Sequence, residues 1–270
     1  MRLVSLGDNV CDCYLDEGTF YPGGQAVNVA VDARRSGAER SAYLGVLGDD
    51  DRATYLRACL ATEGVELDRA RCAHGATASP GVRLVNGDRQ FFAGARDTVA
   101  HLLGLRIARE DLEYLSEFDV CHTTNEAGID HELARIHQAV TVSYDFSVYF
   151  DDEVLERVCP NVDIAFISAA EMPATGIGAL IEKAHAHGCK VVVVTKGEEG
   201  SVCSDGTTVH EQGICPVDAI DTMGAGDSFA AAFLVRYLDT HDVPQSMAFA
   251  AERAAQTCTL RGAFGYGRAI

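Results

Sequence analysis

Residues 173–197 read PATGIGALIEKAHAHGCKVVVVTKG. Val191–Val194 is an unbroken β-branched run with no polar alternation, the pattern of a strand covered on both faces. A helix-length segment, Pro173–His187, precedes it and stops at Gly188. A helix feeding a doubly covered strand is the unit from which mostly parallel sheets are built. The unit recurs outward along the chain. RLVSL (2–6), SAYLGVLG (41–48), DVCHTT (119–124), TVSYDFS (141–147) and VDIAFIS (162–168) read as further strands. Between and after them Gln25–Ser36, Asp51–Glu63, Asp130–Gln138, Asp151–Val158, Ala225–Leu238 and Pro244–Thr259 read as helices, with Gly37 and Gly64 as stops. The expected fold class is α/β, with ligands gathering at the carboxyl ends of the strands.

Two stretches break the alternation. Residues 80–93, PGVRLVNGDRQFFA, predict two strands around an Asn-Gly turn, and residues 13–22, CYLDEGTFYP, predict extended chain. Lacking helix partners in sequence, they would either pair into a small flap over the main sheet or stand as surface hairpins. A third hairpin, SVCSDGTTVH (201–210), turns on Asp205-Gly206. With 270 residues and no linker or repeat, the chain reads as one domain. A net charge of −18 argues against a nucleic-acid partner, and no apolar run reaches the ~18 residues of a membrane span. Ten cysteines without a CxxC pair read as buried free thiols in a cytoplasmic protein.

The chemistry is concentrated in glycine-rich stretches. The Walker phosphate loop, HExxH and GxSxG are absent, and no GxGxxG follows the first strand. His185 and His187 are two apart on a helix and cannot share a metal. DTMGAGDSF (221–229) opens a helix with Gly224, Ala225 and Gly226, whose backbone N–H groups suit an anion. Asp227 beside them could take a proton from an attacking hydroxyl, or could serve as a helix-end carboxylate complementing the dipole. Near the N-terminus PGGQAVNVAVDARRSG places Gly23 and Gly24 before a helix carrying Asn28, and GDNVCD supplies Asp8, Asn9 and Asp12. Carboxylates and amides around a glycine pair suit a ligand rich in hydroxyls. In VTKGEEGS, Gly197 and Gly200 would let backbone lie against a nucleotide.

GGQAVNVA (23–30), GVLGDDD (45–51) and DTMGAGDSFAAAF (221–233), in this order and spacing, resemble the PfkB, or ribokinase-like, family of carbohydrate kinases. The resemblance implies a three-layer α/β/α sandwich with a mostly parallel central sheet, in one domain over 1–270. A small β lid would be made by segments 13–22 and 80–93. It also implies ATP-dependent phosphorylation of a sugar primary hydroxyl. GDNVCDCY (7–14) and YDFS (144–147) favour members acting on Amadori-type sugar amines at the 6-position.

Asp227 would be the base and Gly224, Ala225 and Gly226 the anion hole. Asp8, Asn9, Asp12, Gly23, Gly24 and Asn28 would bind the sugar, and Thr195, Gly197 and Gly200 the nucleotide. Glu171 would serve Mg²⁺ through water, and Asp221 a K⁺ ion. The lid would close over the sugar and mediate a homodimer. Two departures stand out: Ser168 replaces the asparagine of the family's N-x-x-E motif, and Tyr149 stands where D-x-N-x-R has arginine. The latter favours an unphosphorylated acceptor. Tyr14, Arg83, Arg89, Arg96 and Asp97 are candidates for selecting it. A nucleoside kinase of the same fold, with Phe91 or Phe92 stacking a base, and a non-catalytic sugar- or nucleotide-binding regulator are the alternatives.

Overall fold

The computed structural model describes all residues except 86, 87, 93 and 96, together with the backbone but not the side chains of 84–85 and 88–90. Its strands are β1 (Arg2–Leu6), β2 (Val10–Tyr14), β3 (Thr19–Gly23), β4 (Arg40–Leu44), β5 (Val46–Leu47), β6 (Arg71–Cys72), β7 (Gly81–Val85) and β8 (Asp88–Phe92). After these come β9 (Val120–Thr124), β10 (Thr141–Asp145), β11 (Ile164–Ser168), β12 (Val191–Thr195), β13 (Ser201–Ser204), β14 (Val209–Gln212) and β15 (Arg268–Ala269). The α-helices are α1 (Gln25–Arg35), α2 (Asp51–Thr62), α3 (Val99–Leu103), α4 (Arg109–Leu115), α5 (Leu133–His137), α6 (Asp152–Val158), α7 (Ala174–Ala186), α8 (Ala225–Thr240) and α9 (Val243–Thr257).

The main sheet runs β14-β13-β12-β11-β10-β9-β1-β4, parallel from β12 to β4 with an antiparallel hairpin at the other edge. Alternation of side chains divides it into two cores. Val4, Leu6, Val142, Ile167 and Val194 face the layer that contains α4–α7. Leu3, Val120, Phe166 and Val193 face α1, α8 and α9. That second layer can sit close because α8 presents Ala230, Ala231 and Ala232, all buried. Truncating a buried Leu or Phe on either face would cost about 2–5 kcal/mol. The chain winds from β1 outward to β4 and later resumes at β9 on the other side of β1. This reversal opens a crevice at the carboxyl ends of β1 and β9, where open α/β sheets hold their ligands.

A second sheet, β15-β3-β2-β7-β8, stands apart from the first. Residues 13–22 are not one extended segment: they close the hairpin between β2 and β3, with Leu15–Gly18 as the turn. β7 and β8 pair antiparallel in register Val82↔Phe91, and the Asn-Gly turn expected between them lies outside the described residues. Other expectations shift as well. Asp130–Gln138 begins as a 3₁₀ turn at Asp130–Glu132 before α5, and SAYLGVLG divides at Gly45 into β4 and β5. Of the cysteines, Cys72 is exposed and Cys215 and Cys258 are only partly covered, so burial is not general. Among the described residues no helix is long and apolar enough to cross a membrane.

Candidate active site

Asp227 is the third residue of α8, whose N-cap is Gly224 in the left-handed region (φ 75°). A side chain at Gly224 would collide with Ala263, since its Cβ would stand 2.5 Å from that residue's Cβ. The Ala225 N–H donates to the Thr222 carbonyl (3.2 Å) and so closes the turn. Of the amides expected to form an anion hole, Ala225 is therefore engaged within the chain. The Gly226 amide and the neighbouring Asp227 amide are first-turn amides, which lack intrahelical acceptors.

α1 meets α8 across this point. Asn28 Nδ2 donates to Asp227 Oδ2 at 2.7 Å, while the buried Asn28 Oδ1 has no hydrogen-bond partner. A Cβ at Gly23 would stand 2.7 Å from Asp12 Oδ2 and 3.7 Å from Asn28 Oδ1. Gly23 is thus the bare floor between these two polar groups. Gly24 (φ 108°) leaves no room either, for its Cβ would lie 2.8 Å from Asn9 Cα and 2.9 Å from Asp8 Oδ2. Asp8, Asp12, Gly23, Gly24, Asn28 and Asp227 come together as the sequence suggests.

Their roles are not uniform. Asp8 accepts from the Gln25 and Ala26 amides (3.0 and 3.1 Å), so it caps α1, a task Gly24 cannot perform. Asn9 donates both to Tyr43 Oη (2.9 Å) and to the Val46 carbonyl (2.8 Å) and is buried, which makes it a brace from the β1–β2 connection to β4 and β5. Asp221 accepts from Tyr14 Oη (2.5 Å) and from the amides of Met223 and Gly262 (both 3.0 Å).

Electrostatics follow from burial. Desolvation raises the pKa of Asp227 well above the usual carboxylate range. The Asn28 hydrogen bond opposes the shift, and the charges of Asp145, Asp8 and Asp32 reinforce it. Asp145, at the end of β10, is pushed up to about 6 by burial, against a hydrogen bond from the Ser147 amide. Asp32, one turn beyond Asn28 on α1, is pushed up to about 7 by burial, and neither of its oxygens has a hydrogen-bond partner. Asp145 and Asp32 were not among the expected site residues. The signals for Asp145 are its place in YDFS (144–147), at the Asp of D-x-N-x-R, and its position as an acid ending a central parallel strand.

Further along the carboxyl edge of the parallel strands, Thr195 ends β12 in register with Ser168, and their hydroxyls are 3.3 Å apart. Gly197 opens a short 3₁₀ turn with φ 60°. Gly200 has a packing reason of its own: a Cβ there would stand 2.1 Å from the Gln212 carbonyl, at the open end of the β13–β14 hairpin. Glu171 is exposed beyond β11. Among the described residues no group of three or more His, Cys, Asp or Glu could hold a metal by itself.

Of the selectivity candidates, Tyr14 is buried against Asp221, Arg83 lies within 3.5 Å of Asp16 and over the Phe92 ring, and Asp97 is exposed. The Arg89 side chain and Arg96 lie outside the described residues.

The family model described as pfkB family carbohydrate kinase matches residues 4–265. Fructosamine kinase FrlD of Bacillus subtilis is 41% identical over 99% of this chain and 94% of its own length. Fructoselysine 6-kinase of Escherichia coli is 34% identical over 97% of this chain and 99% of its own. The structure of Arabidopsis thaliana ribokinase complexed with ribose and ATP superposes with a TM-score of 0.82 at 21% identity, covering 97% of this chain and 94% of that one.

Proposed function

Because the chain belongs to the pfkB family of carbohydrate kinases, we propose that it transfers the γ-phosphoryl group of ATP to the 6-hydroxyl of fructoselysine or a closely related sugar amine. Two relatives that cover nearly the whole chain carry fructosamine and fructoselysine in their names, which supports that acceptor class. The observation that carries the chemistry is the Asn28–Asp227 hydrogen bond, which ties the bare Gly23-Gly24 floor to the helix end that would receive the phosphoryl group.

In this reading the sugar lies on Gly23 between Asp12 and Asn28 Oδ1, and its hydroxyl proton passes to the Asp227 carboxylate. The alkoxide oxygen then bonds to the γ-phosphorus as the bridge to ADP breaks, and the Gly226 and Asp227 amides hold the equatorial oxygens. A raised pKa suits the task, since an ordinary carboxylate binds an alcohol's proton more weakly. The nucleotide lies along Thr195 and Gly197. The fit for Mg²⁺ rests on donor chemistry: Glu171 and Asp145 offer hard carboxylate oxygens and would receive the ion's water shell. When bound, the ion neutralises phosphate charge. A K⁺ ion at Asp221 would share a carboxylate that already accepts three hydrogen bonds. The second sheet acts as the lid, and its exposed Leu15, Phe91 and Phe92 support a homodimer there.

A panel of fructoselysine, fructose, ribose and adenosine, read by ADP release with and without K⁺, tests the proposal. Turnover should be fastest with fructoselysine. Preference for adenosine would favour a nucleoside kinase, and binding of sugar and ATP without ADP formation would favour a regulatory protein.

A further inference from the structure

The second sheet and the helix-opening turn are joined by one buried contact. Residues i and i+2 of a strand share a face, so β2 carries Asp12 and Tyr14 on the same side. Asp12 borders Gly23 in the sugar floor, and Tyr14, 2% exposed, donates its hydroxyl to Asp221 Oδ2. The same carboxylate holds the Met223 amide through Oδ1 and the Gly262 amide through Oδ2. Met223 leads into Gly224, where a Cβ would stand 2.5 Å from the Cβ of Ala263. Gly262 (φ 66°) lies against Tyr21 of β3, where a Cβ would stand 2.6 Å from that residue's Cβ, and the Tyr14 and Tyr21 rings meet edge to face at 5.0 Å. Two strands of the second sheet, the 262–263 loop and the turn before α8 therefore form one tightly packed unit with Asp221 at its centre.

We propose that Tyr14 is a positioning residue that couples the sugar side of the cleft to the anion hole. Sugar seated against Asp12 fixes β2, β2 sets the Tyr14 hydroxyl on Asp221, and Asp221 fixes the turn that presents the Gly226 and Asp227 amides. The assignment rests on the reading of 224–227 as the phosphoryl site. Its consequence is thermodynamic: sugar tightens nucleotide binding, and nucleotide tightens sugar binding by the same factor.

The test compares wild type with Tyr14→Phe, which keeps the ring and removes only the hydroxyl. Binding of a non-hydrolysable ATP analogue is measured by calorimetry with and without saturating fructoselysine, alongside kcat and KM. Losing a hydrogen bond to a charged group corresponds to about a tenfold effect or more. The variant should bind fructoselysine alone within about twofold of wild type, lose the sugar-dependent gain in nucleotide affinity, and lose about tenfold in kcat. A sugar-dependent gain equal to that of wild type would overturn the coupling. A merely structural role would lower the melting temperature and leave the gain in place, which also counts against it.

Should Tyr14→Phe fail to fold, hydrogen exchange on the wild type decides. Fructoselysine alone should slow exchange at the Met223 and Gly262 amides, and unchanged exchange there overturns the proposal. Wild type that binds fructoselysine but forms no ADP would refute the kinase reading itself, a result distinct from either outcome for Tyr14.

Discussion

Asp32→Asn should make the protein more stable at pH 8 and leave it nearly unchanged at pH 4. Asp32 is fully buried on α1, and neither oxygen finds a hydrogen-bond partner. Burial is the largest cause of its shift. Arg35 on the same helix and Arg253 on α9 offset it in part, and Glu63 at the end of α2 adds to it. A folded pKa of about 7 against about 3.9 for the unfolded chain is a gap of about 3 units, worth about 4 kcal/mol at 1.36 kcal/mol per unit.

The folded pKa is raised, so the folded state holds the proton more tightly. The group's stabilising contribution is full below about pH 4 and is lost as pH rises to about 7. Asparagine is equally polar and equally unpartnered but cannot ionise, so it escapes that loss. Urea unfolding of both proteins from pH 4 to pH 8 should show a difference that grows from within about 1 kcal/mol to as much as about 4 kcal/mol in the variant's favour. The Asp32 charge is also one of those raising Asp227, so the acid limb of the turnover profile should move to lower pH in the variant. A stability difference that is the same at pH 4 and pH 8 would refute the reasoning.

Other expectations follow from the same geometry. Asn28→Ala removes the hydrogen bond that opposes the rise of the Asp227 pKa. Its acid limb should therefore move to higher pH, and sugar affinity should fall about tenfold with the lost polar contact, as kinetics across pH and sugar calorimetry would read. Gly24→Ala forces a Cβ into backbone at 2.8 Å in the left-handed region, so thermal unfolding should show a loss of at least about 1–3 kcal/mol and sugar binding should disappear.

Much of this architecture is legible in the sequence where one physical constraint acts alone. Val191–Val194 reads as a doubly covered strand because nothing polar interrupts it. Gly37, Gly64 and Gly188, all with positive φ, end helices where they were expected. α3 and α4 were not legible: neither opens on a capping side chain such as Asp151 gives the equally short α6, and α4 depends instead on Asp111 accepting from the Ala108 amide.

Site residues divide in the same way. The Gly23-Gly24 pair and Asp227 announce themselves by local motif. The protein partners of Asn9 and Asp221 were not legible, because motif position cannot reveal Tyr43 and Val46, 34 and 37 residues away, or Tyr14, 207 residues away. Asp32 looks like a surface charge in a helical pattern. Its burial accompanies the packing of α1 on α8, which the local sequence does not foretell.

Asp227→Asn tests the central claim most directly. With ATP, Mg²⁺ and fructoselysine, the variant should bind both ligands with near-native affinity while phosphorylation falls by about 10²–10⁴-fold or more, followed by phosphorus NMR of the sugar phosphate. Near-native formation of that product by the variant would contradict the account.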